Sequence, residues 1–338
     1  MIRVAVIGCG YWGPKLLRNF FSIESCRVVA LADLDPQKLS SISPRYPGVD
    51  LCTDPSEVFK RKDVDAVAIA TPISTHYHLA LEALEHGKHV LVEKPMTSKA
   101  DEGKHLVEVA HNKGLTLMVD HTFLYTSAVK KIKEMINNNE LGDIYYFDSV
   151  RVNLGLFQHD VNVIWDLAPH DFSIMCYLVE EEPVSVQAVG ACHIKYSDPP
   201  LENMAYVTIN FDSGLIAHFH VNWLTPVKVR KILIGGSKKM LIYDDIQPDE
   251  KVKVYDKGVC VKSQEESYKI LLQYRTGDAY VPMISQYEPL NLECRHFLEC
   301  IETGKRPLTD GESGIQLVKL LEAADLSLKN EGRKIKYH

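Results

Sequence analysis

At 338 residues the chain has room for two domains, each large enough to bury its own core. Its composition, 46% hydrophobic and 25% charged, is that of a globular protein and excludes a disordered, collagen-like or membrane chain. A net charge of −7 with no dense Lys/Arg cluster argues against nucleic-acid and anionic-membrane surfaces and points to a small-molecule partner. The opening run MIRVAVIGCG is broken by glycine too early for a signal peptide or a membrane span, so a cytoplasmic protein is expected. Its eight cysteines show no zinc-ligand spacing and read as reduced thiols, with no metal site expected.

In chain order, short β-branched runs at 3–7, 27–32, 65–70, 88–92 and 115–119 alternate with helical patterns such as Leu16, Leu17, Phe20, Phe21 and Leu79, Ala80, Ala83, Leu84. Apolar strands of this kind need cover on both faces, which right-handed βαβ crossovers supply. This predicts an α/β fold opening with a doubly wound parallel sheet over residues 1–121. From 122 to 338 the texture changes to a helix at 128–136, a strand at 144–150, a short helix after Asp166, and strand-like runs at 184–195, 205–211, 215–223, 229–235, 239–243 and 251–255. Asp212-Ser213-Gly214 predicts a hairpin between two of these, and helices at 292–302 and 314–330 close the chain, the first capped by Gly304. The second domain is therefore expected to be α+β with a large, mostly antiparallel open sheet.

Gly8-Cys9-Gly10-Tyr11-Trp12-Gly13 follows the first strand and opens the first helix, the context of a dinucleotide-binding turn. Gly8 permits the turn, Gly10 lets backbone approach a pyrophosphate, and Gly13 lets helix and strand pack closely. The helix N-terminus offers N–H groups to phosphate. Asp33, 20 residues beyond Gly13, can accept hydrogen bonds from ribose hydroxyls and would repel a 2′-phosphate, which favours NAD over NADP. The alternatives are a purely structural glycine turn and an aspartate that caps the helix before Pro36. Lys94 stands just past a parallel strand, where such sheets bind ligands, and its ammonium can stabilise a developing alkoxide; a solvated lysine is the alternative. Asp166 and His170 share a helix face, with Asp166 as a possible cap and Pro169 then within the first turn; they fit a general-base pair or a cap beside an unrelated histidine.

Along nearly its whole length the chain resembles the family that includes glucose-fructose oxidoreductase and inositol 2-dehydrogenase. The residues that carry the resemblance are the glycine loop, Thr71-Pro72-Ile73-Ser74-Thr75-His76, Glu93-Lys94-Pro95, Asp166-Leu167-Ala168-Pro169-His170 and Gly304-Lys305-Arg306-Pro307. The resemblance implies a Rossmann domain joined to a mixed α/β domain whose open sheet makes oligomer contacts, as a homodimer or homotetramer. It implies NAD as cofactor, with Thr71, Pro72, His76 and Glu93 lining its cleft beside Lys94. It also implies oxidation of a secondary alcohol in which His170 takes the proton, Asp166 orients it and Lys94 polarises the oxygen.

The stretches at 120–125 and 151–155 look closer to a branch that oxidises the 3-hydroxyl of UDP-N-acetylhexosamines or their uronates. Arg151 would then meet a diphosphate or carboxylate, and Asn153 and Asn162 the sugar hydroxyls. A dehydrogenase of a free sugar, sugar phosphate or inositol, and a non-catalytic dinucleotide-binding regulator, are the competing readings. His218 and His220, alternating with apolar residues, point to an interface or solvated face rather than a metal site. Lys228, Arg230 and Lys231 suggest a solvated strand edge.

Overall fold

The computed structural model describes residues 1–155, 157–261 and 272–337. They form two compact units: Met1–Tyr125 with Tyr287–Glu322, and Thr126–Gln286 with Ala323–His338.

In the first unit, β1 (Ile2–Ile7), α1 (Gly13–Phe21), β2 (Cys26–Ala32), α2 (Pro36–Ile42), β3 (Asp50–Cys52), α3 (Pro55–Phe59), β4 (Ala66–Ile69), α4 (Ile73–Glu85), β5 (His89–Glu93), α5 (Ala100–Lys113) and β6 (Leu117–Asp120) alternate along the chain. The six strands are parallel and run in the order β3-β2-β1-β4-β5-β6. The order reverses between β1 and β4, whose C-terminal ends flank the crevice where such sheets hold ligands. Every residue of β4 is buried, as a strand covered on both faces requires. Asp35 and Asp54 start α2 and α3 by accepting hydrogen bonds from Gln37 and Ser56 N–H groups, and both helices begin with proline, whose missing N–H costs nothing there. Strand β3 is only three residues long, too short to show a period.

The division at residue 121 expected from sequence misses a return of the chain. Helix α8 (Pro289–Thr303) and the start of α9 (Gly311–Lys329) belong to the first unit. Phe297 meets Phe20 edge to face at 6.3 Å. Asn291 Nδ2 donates to Asn19 at 3.2 Å, Val119 N–H donates to the Thr309 carbonyl at 2.7 Å, and Ile315 joins the apolar core of the sheet.

The second unit holds α6 (Ser127–Asn137), β7 (Ile144–Leu154), α7 (Val163–Leu178), β8 (Pro183–Ala191), β9 (Met204–Phe211), β10 (Ile216–Asn222), β11 (Leu224–Gly236), β12 (Met240–Asp244), β13 (Val252–Val261), β14 (Leu272–Tyr280) and β15 (Ile335–Lys336). Its nine-stranded sheet has the order β14-β13-β12-β11-β7-β10-β9-β8-β15 and is antiparallel except where β10 runs parallel to β7. The hairpin at 212–214 forms as predicted, with Gly214 at φ +89°. Helix α7 covers one face through Phe172, 4.7 Å from Phe219. On the other face Tyr206 stacks against His220 at 4.4 Å, and Thr208 bonds His218.

Two expectations fail here for physical reasons. Strand β11 lies inside the sheet, between β12 and β7, so Arg230 and Lys231 are not on a free edge; they pair across to Asp245 and Asp244. Helix α7 begins at Val163, before Asp166, because Asn162 is its cap: Asn162 Oδ1 accepts from the N–H groups of Ile164 at 3.1 Å and Trp165 at 3.3 Å. Pro169 consequently lies inside the helix rather than in its first turn.

Candidate active site

The glycine loop has the geometry of a phosphate cradle. Gly8 sits at φ +98°, and a methyl group there would come within 2.5 Å of the Ala70 carbonyl oxygen. A methyl on Gly13 would meet the Gly8 carbonyl oxygen at 1.8 Å, whereas one on Gly10 would project into open space, where backbone faces whatever the loop binds. Helix α1 starts at Gly13 with Pro14 in its first turn, and Lys15 lies over Tyr11 at 3.6 Å and Trp12 at 4.1 Å. Asp33 follows β2 and is tied to the loop: the Cys9 N–H donates to its Oδ2 at 2.6 Å and the Asp35 N–H to its Oδ1 at 2.9 Å. Burial and the Asp33 carboxylate push the Cys9 thiol up to about 12, which keeps it protonated and unreactive. Open space at Gly10, close approach at Gly13 and a carboxylate at the end of β2 together fit a dinucleotide.

Strands β5 and β6 end side by side, Glu93 paired in register with Asp120, and Lys94 emerges half-buried at that edge. The Lys94 N–H donates to Glu93 Oε2 at 3.0 Å. His76, 1% exposed, has Nδ1 2.9 Å from the Pro95 carbonyl oxygen and Nε2 2.9 Å from that of Thr71. It thereby braces the segment after Lys94 against the Thr71-Pro72 turn, where Pro72 caps α4 and Thr75 Oγ1 lies 2.7 Å from Thr71 Oγ1. Beneath this edge lies a feature the sequence did not reveal, a buried carboxyl cluster of Glu93, Asp120 and Glu293 of α8. Burial and the neighbouring Asp120 hold both glutamates well above the usual carboxylate range, with Lys94 partly offsetting the effect on Glu93. With its ionised form disfavoured by burial, the Glu293 carboxyl is held toward its protonated form, which can act as a hydrogen-bond donor within the cluster. Beside them, burial and Lys94 lower His121 to about 3, leaving a neutral ring. Glu293 joins this cluster from 173 residues away, which no local pattern announces.

In the second unit Asp166 and His170 lie one turn apart on α7, both half-buried. The Trp223 indole N–H donates to Asp166 Oδ2 at 3.0 Å. Of the residues expected to meet substrate, Asn153 is half-buried near the end of β7. The other two are committed elsewhere. Asn162 caps α7, and its Nδ2 donates to Asp325 at 2.9 Å and to Glu202 at 3.3 Å. Arg151, 4% exposed, gives Nε and one terminal nitrogen to the two Asp171 oxygens at 2.8 Å each, clamping β7 to α7. Two of its three nitrogens are thus engaged by Asp171 within the second unit. Among the described residues no group of three His, Cys, Asp or Glu side chains is arranged to hold a metal ion.

A nucleotide cradle on a doubly wound sheet, followed by a sheet-rich unit bearing a histidine-carboxylate pair, defines a two-domain NAD-binding oxidoreductase. Residues 2–121 match the model of the oxidoreductase family with an NAD-binding Rossmann fold, and 129–242 match the GFO/IDH/MocA C-terminal domain. The chain belongs to the GFO/IDH/MocA oxidoreductase family. It is 27% identical over 331 residues to scyllo-inositol 2-dehydrogenase (NAD(+)) of Bacillus subtilis strain 168, covering 94% of this chain and 91% of the relative. It is 27% identical over 265 residues to UDP-N-acetylglucosamine 3-dehydrogenase of Acidithiobacillus ferrooxidans, covering 76% and 78%. A crystal structure of a gentamicin A biosynthesis protein in complex with NAD shares the fold at a TM-score of 0.84, with 20% identity over 100% of this chain and 96% of that one. No described helix is long and apolar enough to cross a membrane.

Proposed function

We propose that this oxidoreductase removes hydride from a secondary hydroxyl carbon of a sugar, and that its substrate is a UDP-N-acetylhexosamine or its uronate, oxidised at the 3-hydroxyl. The observation that carries the reading is the pairing of Asp166 and His170 on one face of α7 with the carboxylate fixed by Trp223. An imidazole beside a fixed carboxylate is equipped to accept a proton near neutral pH. His170 takes the hydroxyl proton, Asp166 orients the ring and stabilises the imidazolium, and Lys94 donates a hydrogen bond to the oxygen as it gains alkoxide character. NAD, when bound, supplies the hydride acceptor. The glycine loop and α1 hold the pyrophosphate, and Asp33 holds the adenosine ribose through the acceptor capacity left beside its two backbone bonds. The C–H bond breaks with its electron pair leaving as hydride, the O–H proton goes to His170, and the product is the ketone.

The similarity to a UDP-N-acetylglucosamine 3-dehydrogenase supports the sugar-nucleotide reading. A second reading, a cyclitol or free sugar as substrate, is favoured by one specific observation: the buried Arg151 guanidinium is paired with Asp171. The inositol dehydrogenase similarity over 94% of the chain points the same way. The test is NADH formation by purified protein with NAD and UDP-N-acetylglucosamine, its uronate, UDP-glucose, scyllo-inositol or glucose, with an aminotransferase and amino donor present to draw off ketone. Turnover of a UDP-sugar alone is the expected result. Turnover of a cyclitol alone moves the protein to the second reading, and silence throughout, with NAD bound, overturns both in favour of a non-catalytic regulator. We infer a homodimer or homotetramer as the working form, for which sedimentation of the purified protein is the test.

A further inference from the structure

We propose that Trp223 is a positioning residue for the Asp166–His170 pair, an inference that rests on the catalytic reading of that pair. Trp223 lies in the one-residue break between β10 and β11 and is 0% exposed. An indole N–H can only donate, and when buried it is nearly always given a partner. Here the partner is Asp166 Oδ2 at 3.0 Å, not a backbone carbonyl of the sheet.

The seat of the indole is over-determined. The Trp223 N–H donates to the Asn203 carbonyl at 2.9 Å, and the Gly155 N–H donates to the Trp223 carbonyl at 3.1 Å. Asn203, also fully buried, is itself pinned: its Oδ1 accepts from the His193 and Ile194 N–H groups at 2.8 Å each. Gly155 leaves the ring its room, since a methyl there would stand 2.8 Å from the indole Cδ1. Phe157 packs on the ring at 5.3 Å.

These contacts give the carboxylate a fixed direction. Because Asn162 caps α7, Asp166 is not needed as the cap, and its side chain is turned toward Trp223. The indole holds one oxygen, which sets the rotation of the carboxylate relative to the imidazole one turn away. Among the described residues, the titratable groups around Asp166 include Tyr196, whose phenol is raised by burial and by Cys192, Asp166, Asp160 and Glu202, and His170 on its own helix. Positioning of this kind acts on the rate through another residue, since Trp223 itself need not touch substrate.

The experiment compares Trp223→Phe with the unaltered protein. Phenylalanine keeps an apolar aromatic ring and removes the N–H. The first readout needs no substrate: the titration of the His170 ring in histidine-labelled protein by NMR, its resonance assigned by its loss in His170→Gln. Without the indole N–H the carboxylate is less stabilised and holds the imidazolium proton more tightly, so the His170 midpoint rises by about half a pH unit. The second is turnover with UDP-N-acetylglucosamine, or scyllo-inositol if that is the compound oxidised: kcat falls about tenfold while KM for NAD stays unchanged. An unmoved midpoint overturns the proposal whatever happens to kcat, because a packing role alone leaves the titration in place. A fully active His170→Gln instead defeats the catalytic reading, and the midpoint in Trp223→Phe still decides whether the indole governs the pair.

Discussion

The two units hold their candidate functional residues by different means. In the first, the candidate site is set by backbone: a glycine at φ +98°, a helix N-terminus close to it, and side chains at the ends of adjacent parallel strands. In the second, the candidate residues are side chains held by partners from distant parts of the chain: Asp166 by Trp223, Arg151 by Asp171 and Asn162 by Asp325. A backbone site is intolerant of added atoms, while a side-chain site is intolerant of lost partners.

The largest expected effect breaks the second unit. Arg151→Met leaves the Asp171 carboxylate buried without its cation and destabilises the unit by about 3–5 kcal/mol, measured by chemical denaturation. Replacing both partners, Arg151→Met with Asp171→Leu, recovers most of that loss. Unchanged KM for a UDP-sugar in the double variant would establish the pair as a clamp, and a large rise would return Arg151 to the substrate site.

Gly13→Ala attacks the first unit's backbone. The added methyl cannot coexist with the Gly8 carbonyl 1.8 Å away. Displacing the loop weakens NAD binding by about a hundredfold, or about 3 kcal/mol, read by calorimetry. Binding at the unaltered affinity would mean that the loop does not contact the cofactor.

The buried carboxyls carry the smallest and most pH-dependent effect. Glu293 is raised above its unfolded value of 4.5, so in the unfolded chain it ionises first as pH rises. Its cost to stability is therefore absent below that value and grows as pH climbs toward the folded value. Glu293→Gln should stabilise the protein by about 1–3 kcal/mol at about pH 8 and by nothing at about pH 4, measured by melting across pH. A constant difference at all pH values would place the ionised form in the folded protein.

This contrast also explains what was legible in sequence. The strand-helix alternation, the glycine turn and the family membership were readable because they depend on local periodicity and backbone conformation. Lys94 is singled out because it follows a buried strand, and Glu93 by the family resemblance. Trp223 was seen only as an apolar position in an alternating strand, 57 residues from the carboxylate it holds. Arg151 and Asn162 are assigned to substrate on a branch resemblance, whereas their contacts to Asp171 and to the α7 cap depend on partners no local pattern shows. The return of α8 to the first unit escaped notice because its partners, Phe20 and Asn19, lie near the other end of the chain. No pattern in a single strand or helix shows which partner will bury it.

The central claim, that Lys94 and His170 perform chemistry while the glycine loop and Asp33 hold NAD, is tested most directly by measuring NAD affinity and turnover together in Lys94→Met and His170→Gln. The account predicts NAD binding close to that of the unaltered protein in both variants, with turnover of the identified substrate reduced by about 100- to 10,000-fold. Full activity in both variants would contradict it.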